Sequence, residues 1–353
     1  MKGKENQITN RNPYWDNIRF FLILTVVIGH FVDYNTSRSE LCRATYLFIY
    51  VFHMPLFIFI SGFFSKNTLQ EKNKVFKKAI YYFILFILYK FFILILSFIF
   101  NKRIPTFLPF SESGIPWFLL ASSIWLILFY FLKDMKPVPL FIMSILVGCL
   151  IGYDKTTRDF LCWSRVLVFL PFFIVGYHVS QNKIDDFLEQ KKKFYLLALI
   201  IFVVSAFLIY GNIEYLYKYR GYFTARNPFS NLINGQYGWL VRCITTSMSF
   251  YFIFLMLLII PKKKSVFSYI GSKTLQIYFW HYSVLYSIQK LKILDFFRIT
   301  LNPIIFYFFL LLIAIFLTFI LSLNLFGYPL KLLEIGISKI IDFLFKDNMI
   351  DKQ

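Results

Sequence analysis

Residues 15–34 read Trp15-Asp16-Asn17-Ile18-Arg19-Phe20-Phe21-Leu22-Ile23-Leu24-Thr25-Val26-Val27-Ile28-Gly29-His30-Phe31-Val32-Asp33-Tyr34. A nearly unbroken apolar run separates Arg19 from His30, and its length is what a helix needs to cross a hydrocarbon layer. The run is too long for the core of a signal peptide, and no small-residue cleavage site follows, so it is expected to be a retained span. At about 100° per residue, Arg19 and His30 fall on one helix face, about 16 Å apart along the axis. A cation near one interface and a proton-transfer group deep on the same stripe form an axis for chemistry across a membrane. The plainer reading is that Arg19 snorkels to lipid phosphates and His30 supports a helix contact. Ionisable groups inside spans are expensive and commonly functional, which favours the first reading.

Working outward, the pattern repeats. Apolar runs broken by polar or basic stretches give expected spans at Trp15–Tyr34, Tyr46–Phe64, Phe76–Phe100, Ile115–Leu132, Val138–Tyr153, Arg165–Ser180, Phe194–Tyr210, Leu240–Ile260, Phe267–Ser287 and Pro303–Phe326. The expected fold is all-α, a polytopic transmembrane bundle of about ten helices. Composition agrees: 58% of the 353 residues are apolar and 16% charged, against about a quarter charged in a soluble domain. The 47 Phe and 24 Tyr suit a lipid-facing surface with aromatic belts.

The net charge of +20 is carried largely by short segments between spans. That is a topology signal and excludes nucleic-acid binding as the reading. Taking the N-terminus as cytoplasmic puts Lys66, Lys72, Lys74, Lys77, Lys78, the run Lys191-Lys192-Lys193 and the run Lys262-Lys263-Lys264 inside, with fewer cations outside. N-in and C-in topology is therefore expected. The longest outside loop, Gly211–Trp239, is polar and aromatic and suited to cover or receive a substrate. Residues 331–353 carry an amphipathic pattern and are expected along the inner surface. Cys42, Cys149, Cys162 and Cys243 show no metal-ligand or disulfide-framework spacing, so no metal site is expected.

Three of the four histidines, His30, His53 and His281, fall at comparable depth on separate expected spans. Their convergence suggests a site; interhelical hydrogen bonding is the alternative. Lys90 is mid-span with no carboxylate at its depth, so it is read as meeting an anionic ligand, as neutral, or as snorkelling. The cluster Lys72, Lys74, Lys77 and Lys78 either obeys the positive-inside rule or binds phosphate. There is no P-loop, nucleophile elbow or Gly-rich nucleotide loop.

Asp16-x-x-Arg19 followed by ten residues and His30 resembles the Arg-x10-His signature of the acyltransferase-3 membrane family. Phe52-His53-Met54-Pro55-Leu56-Phe57 with Ser61-Gly62 resembles the next helix of its fucose 4-O-acetylase-like branch. Pro116-Trp117-Phe118-Leu119, Pro171-Phe172-Phe173 with Gly176-Tyr177, and Ile277-Tyr278 with His281 resemble later motifs, in order, over residues 12–325. The resemblance implies a membrane O-acetyltransferase moving an acetyl group from cytoplasmic acetyl-CoA to a hydroxyl of a cell-surface, capsular or lipid-linked polysaccharide. It implies residues 1–14 as a cytoplasmic tail, 15–326 as the acyltransferase domain and 327–353 as a second cytoplasmic tail.

On that reading His30 and Arg19 are catalytic, with Asp16 in support. Arg19, Lys74, Lys77, Lys78 and Lys90 bind acyl-CoA, while His53, Trp117, Tyr278 and His281 shape the acceptor side. No cofactor is permanently bound; the partners are acetyl-CoA, a carbohydrate acceptor and membrane lipid, in a bacterial plasma membrane. Two departures stand out. Lys74-x-x-Lys77 replaces the Arg-x-x-Arg often seen in the family, and the chain ends soon after the last span, without the esterase-like domain some members carry. The competing readings are a transporter or flippase for a lipid-linked sugar, or a subunit relaying acyl groups to a separate transferase.

Overall fold

A computed structural model describes residues 12–102, 107–112, 114–157 and 159–345. Among these residues the only regular structure is helical, apart from one isolated bridge between Ser111 and Phe160. The helices are α1 (Pro13–Asp33), α2 (Glu40–Phe63), α3 (Lys66–Leu69), α4 (Lys72–Asn101), α5 (Trp117–Leu132), α6 (Pro137–Leu150), α7 (Trp163–His178), α8 (Gln181–Gln190) and α9 (Tyr195–Gly211). They continue with α10 (Ile213–Leu216), α11 (Arg220–Phe223), α12 (Gly238–Ile259), α13 (Val266–Gly271), α14 (Thr274–Lys290), α15 (Ile293–Thr300), α16 (Pro303–Leu321) and α17 (Asn324–Leu344).

Among the described residues, five helices are long and apolar enough to cross a membrane: α1, α2, α4, α16 and the stretch Gly235–Ile259 containing α12. Counting each of two bent pairs as one span gives up to seven. In those pairs Trp163–His178 meets Gln181–Lys193 at 86°, and Tyr195–Gly211 meets Ile213–Phe223 at 81°. The expected fourth and fifth spans appear as shorter apolar helices, Trp117–Leu132 and Pro137–Tyr153.

The expected ninth span, Phe267–Ser287, is instead broken into α13 and α14. The reason is local: the hydroxyls of Ser272 and Thr274 turn back onto the carbonyls of Tyr269 and Gly271, both at 2.6 Å. Such side chains compete with the helix ladder. The C-terminal segment forms one continuous helix, α17, that buries Leu330, Ile337 and Ile341 while leaving Leu332, Ile335 and Ile340 exposed. The first eleven residues and residues 346–353, parts of the two expected tails, lie outside the described residues.

The chain divides into two compact units. Unit 1 is Met1–Ile49, Gln190–Gly211 and Phe254–Gly327; unit 2 is Tyr50–Glu189, Asn212–Ile253 and Tyr328–Gln353. In unit 1, α1 packs against α13, α14 and α16. Phe20 stacks on Phe267 at 4.7 Å and meets Phe319 edge-on at 6.2 Å. Asn17 ties the N-terminal turn of α1 to the α12–α13 connection. Its amide donates to the carbonyls of Pro261 and Lys263, at 2.8 and 3.0 Å, and its oxygen accepts from Ser268 at 2.7 Å. Gln276 of α14 donates to the carbonyls of Leu321 and Leu323, at 2.5 and 2.6 Å, satisfying acceptors left over where α16 ends.

Unit 2 packs α4 on α5, and α7 on α5 and α6. Pro55 inside α2 has no N–H, which orphans the carbonyl of Val51 four residues earlier. Ser249 of α12 supplies the missing donor at 2.7 Å. Where α2 runs beside α7, Gly62 and Gly176 let backbones meet: a Cβ at either would collide with the backbone of Phe173 or Phe59. Outward-facing Phe, Leu, Ile and Val on α4, α9 and α16, such as Phe98, Phe207, Ile304 and Phe316, present apolar surface to the surroundings, as lipid-facing helices do.

Candidate functional site

α1 is helical from Pro13 to Asp33, so the expected common face of Arg19 and His30 is realised on one element. Its start is set by Asn12, which caps the amide of Tyr14 at 3.0 Å, and by Pro13 in the first turn. Asp16, one turn before Arg19, is buried and accepts from the guanidinium at 2.9 Å. An i,i+3 pair of this kind fixes the direction of a planar donor fork.

At the other end of the stripe, the His30 ring lies 5.4 Å from the ring of His281 on α14, tilted by 34°, and 6.0 Å from Tyr282. His281 has 0% exposure. Its Nδ1 faces two carbonyls of its own helix, Tyr278 at 2.8 Å and Ile277 at 3.1 Å. Carbonyls only accept, so Nδ1 carries the proton and Nε2 is left as a lone pair. That Nε2 is buried and has no hydrogen-bond partner among the described residues. Tyr278 stands 6.1 Å from the His281 ring. Just beyond His30, Tyr34 donates to Asp295, which also holds Arg298 at 2.5 Å, closing the end of α1 against α15.

His30, His281, Tyr278, Arg19 and Asp16 thus belong to unit 1. His53 and Trp117 belong to unit 2 and are described there. His53 is buried on α2, edge-on to Tyr50 at 4.6 Å. Trp117 opens α5 beneath the Arg165 guanidinium, 5.0 Å from its ring, and beside Phe169 at 5.8 Å.

Lys74, Lys77 and Lys78 do come together, with Thr68, Tyr81, Glu334, Ser338 and Asp342, around an open cleft of about 410 Å³ between α4 and α17. Two of these lysines already meet carboxylates: Lys77 pairs with Asp342 at 2.9 Å and Lys74 with Glu71 at 2.5 Å. Lys90 is not part of this group, since twelve residues of helix put it about 18 Å further along α4. The expectation that Lys90 lacks a protein partner is corrected. Glu112, in the segment before α5, pairs with it at 3.3 Å, and the carbonyls of Leu108 and Ser111 accept from it at 2.7 and 2.6 Å. Glu112 lies outside the apolar runs, in a loop that folds back onto α4.

Tyr282 was also missed, although it directly follows His281. Among the other buried or half-buried charges, Asp159, Arg165 and Arg242 gained no role from sequence. Arg165 and Arg242 carried a signal, being cations at the edge of or within apolar runs.

An acyltransferase domain family matches residues 12–323 of this chain. The nodulation protein NolL of Sinorhizobium fredii (strain NBRC 101917 / NGR234) is 33% identical over 67 residues, a stretch covering 18% of this chain and 18% of that protein. No solved structure matches.

Proposed function

Since this chain belongs to the acyltransferase-3 family, as a multi-pass membrane protein whose family region fills nearly its whole length, we propose that it is an O-acetyltransferase of the fucose 4-O-acetylase-like branch. It takes the acetyl group of cytoplasmic acetyl-CoA and places it on a hydroxyl of a cell-surface, capsular or lipid-linked polysaccharide. The membrane is a bacterial plasma membrane, crossed about ten times with both termini inside.

The observation that carries this reading is the pairing of half-buried His30 with a buried, tautomer-fixed His281. O-acetylation needs a base to remove the hydroxyl proton as the oxygen attacks the thioester carbonyl, and imidazole titrates where such a base is useful. His30 takes that proton; the C–O bond forms, the C–S bond breaks, and the proton passes to the departing CoA sulfur. The Nε2 lone pair of His281 can accept from a His30 ring N–H, directly or through one water. That contact leaves the other His30 nitrogen as the base and stabilises the imidazolium. Arg19, aligned by Asp16, serves the anionic donor, and its guanidinium suits phosphate. The Lys74–Lys77–Lys78 cleft is a second phosphate-compatible surface, in which Lys78 donates to the Thr68 hydroxyl while the other two lysines meet carboxylates. Tyr278 and His281 in unit 1, and His53 and Trp117 in unit 2, serve the acceptor.

The test combines cells and purified protein. O-acetyl signals in the proton NMR spectrum of the surface polysaccharide should vanish on deletion and return with the wild-type chain. They should stay absent with an equally expressed His30→Ala. Full O-acetylation by a folded His30→Ala protein would sink the assignment. Unchanged O-acetylation with loss of polysaccharide from the surface would favour transport.

A further inference from the structure

The charges at the loop end of unit 2 do not balance. The segments 107–112, 151–157, 159–164 and 212–238 are tied to one another there. Glu112 N–H donates to Asp159 O at 2.8 Å, Ser164 to Ala225 O at 2.6 Å, and Tyr153 to Gln236 O at 2.8 Å. Lys90 is matched by Glu112. Arg226 takes Asp159 in a two-pronged contact at 2.9 and 3.1 Å, and Arg165 shares the same carboxylate at 3.7 Å.

Arg242, in the second turn of α12, has no carboxylate among the described residues. It is 2% exposed. One nitrogen donates to the Tyr222 carbonyl at 2.7 Å, while Nε and the second terminal nitrogen have no acceptor. The titratable groups facing it are Cys149, Cys243 and Tyr222, and the Phe229 ring lies 5.7 Å away. None of these is a carboxylate. A buried guanidinium with two unmet donors is costly, because desolvation removes water without supplying an acceptor. A planar donor fork of this kind matches the two oxygens of a carboxylate or phosphate. Around it, Phe229, Tyr222, Tyr219 and Tyr153 form a ring cluster, with Phe229 against Tyr153 at 4.9 Å and Tyr222 at 6.2 Å.

We infer that Arg242 is the centre of an oxyanion site under the 212–238 loop, and that the acceptor therefore carries an acidic group. The group is a carboxylate of an acidic glycan or a phosphate of a lipid-linked sugar; both offer paired oxygens to the same fork. Its assignment to the acceptor rests on the acetyltransferase reading. Anion binding itself does not, and the two are measured separately.

The experiment uses the full chain in nanodiscs of phosphatidylcholine, without acyl-CoA, and follows thermal unfolding by tryptophan fluorescence. Two probe pairs differ only in charge: methyl β-D-glucuronide against methyl β-D-glucoside, and farnesyl phosphate against farnesol. One charged probe should raise Tm in a saturable way and its neutral mate should not; which one does so identifies the source. Arg242→Lys keeps the charge but loses the fork, and its Kd should rise roughly tenfold or more, the equivalent of one charge-assisted hydrogen bond. Arg242→Gln should abolish the shift. If Arg242→Gln does not fold, Arg242→Lys alone decides. No charge-dependent shift in wild type, or an undiminished shift in Arg242→Lys, overturns the inference. CoA release in the same wild-type preparation reports separately on acetyl transfer, so an active enzyme blind to both anions sinks the oxyanion site alone.

Discussion

His281 makes two demands on one ring, and substitutions can separate them. Asparagine places an amide where Nδ1 stands and can keep donating to the Tyr278 and Ile277 carbonyls, but it has nothing at Nε2. His281→Asn is expected to unfold at nearly the wild-type temperature while acetyl transfer falls by about 10²-fold, the lower end of what a positioned proton-transfer group contributes. Equal turnover in wild type and His281→Asn would reduce His281 to a packing residue. Arg19→Lys keeps charge but loses the fork held by Asp16, and should raise KM for acetyl-CoA by about tenfold with a smaller change in kcat. A fall in kcat at unchanged KM would place Arg19 in the chemical step instead. At this scale the Arg19–His30 stripe was legible because both residues ride one helix, where 3.6-residue periodicity alone decides which side chains share a face. The partner of Lys90 was not legible, because Glu112 reaches it only through the path of a loop.

Helix contacts in this chain are negotiated between neighbours. Pro55 removes a donor from α2 and Ser249 of α12 replaces it. Ser249→Ala should therefore cost about 1–3 kcal/mol, the penalty of a buried acceptor left unmet. The penalty should shrink in a Pro55→Ala background, where the helix recovers its own N–H for Val51; thermal unfolding of the four proteins of the cycle measures the coupling. Equal penalties in both backgrounds would mean that the hydroxyl is not serving the proline gap. Pro55 as a gap in α2 is readable from sequence. That the donor comes from Ser249 is not, since many Ser and Thr residues lie within apolar runs. The break between α13 and α14 falls at Gly271-Ser272-Lys273-Thr274, a polar interruption of the apolar run, where the hydroxyls of Ser272 and Thr274 turn back onto the carbonyls of Tyr269 and Gly271.

For the whole molecule, lipid and charge set the terms. The exposed apolar face of α16 meets hydrocarbon, so Phe316→Arg should cost about 2.5–3.5 kcal/mol if it lies near the bilayer centre, read as reduced membrane insertion of the tagged chain. N-in topology predicts opposite labelling of two introduced cysteines. Thr156→Cys should react with an impermeant maleimide in intact cells, and Lys263→Cys only after permeabilisation. Reaction of both in intact cells would overturn the topology.

The amino-acid sequence by itself determined that this is an all-helical membrane chain, where its principal apolar runs lie, and that Arg19 and His30 share a face. These follow from solvent preference and helical periodicity, which act over a few turns of one segment. Tertiary structure alone decided that His281 meets His30, that Lys90 is matched by Glu112, and that, among the described residues, the His281 Nε2 is unengaged and buried Arg242 has no counter-charge. Each of those depends on which distant segments pack together, and hydrogen-bond and charge partners across such distances are fixed by packing geometry rather than by any local pattern.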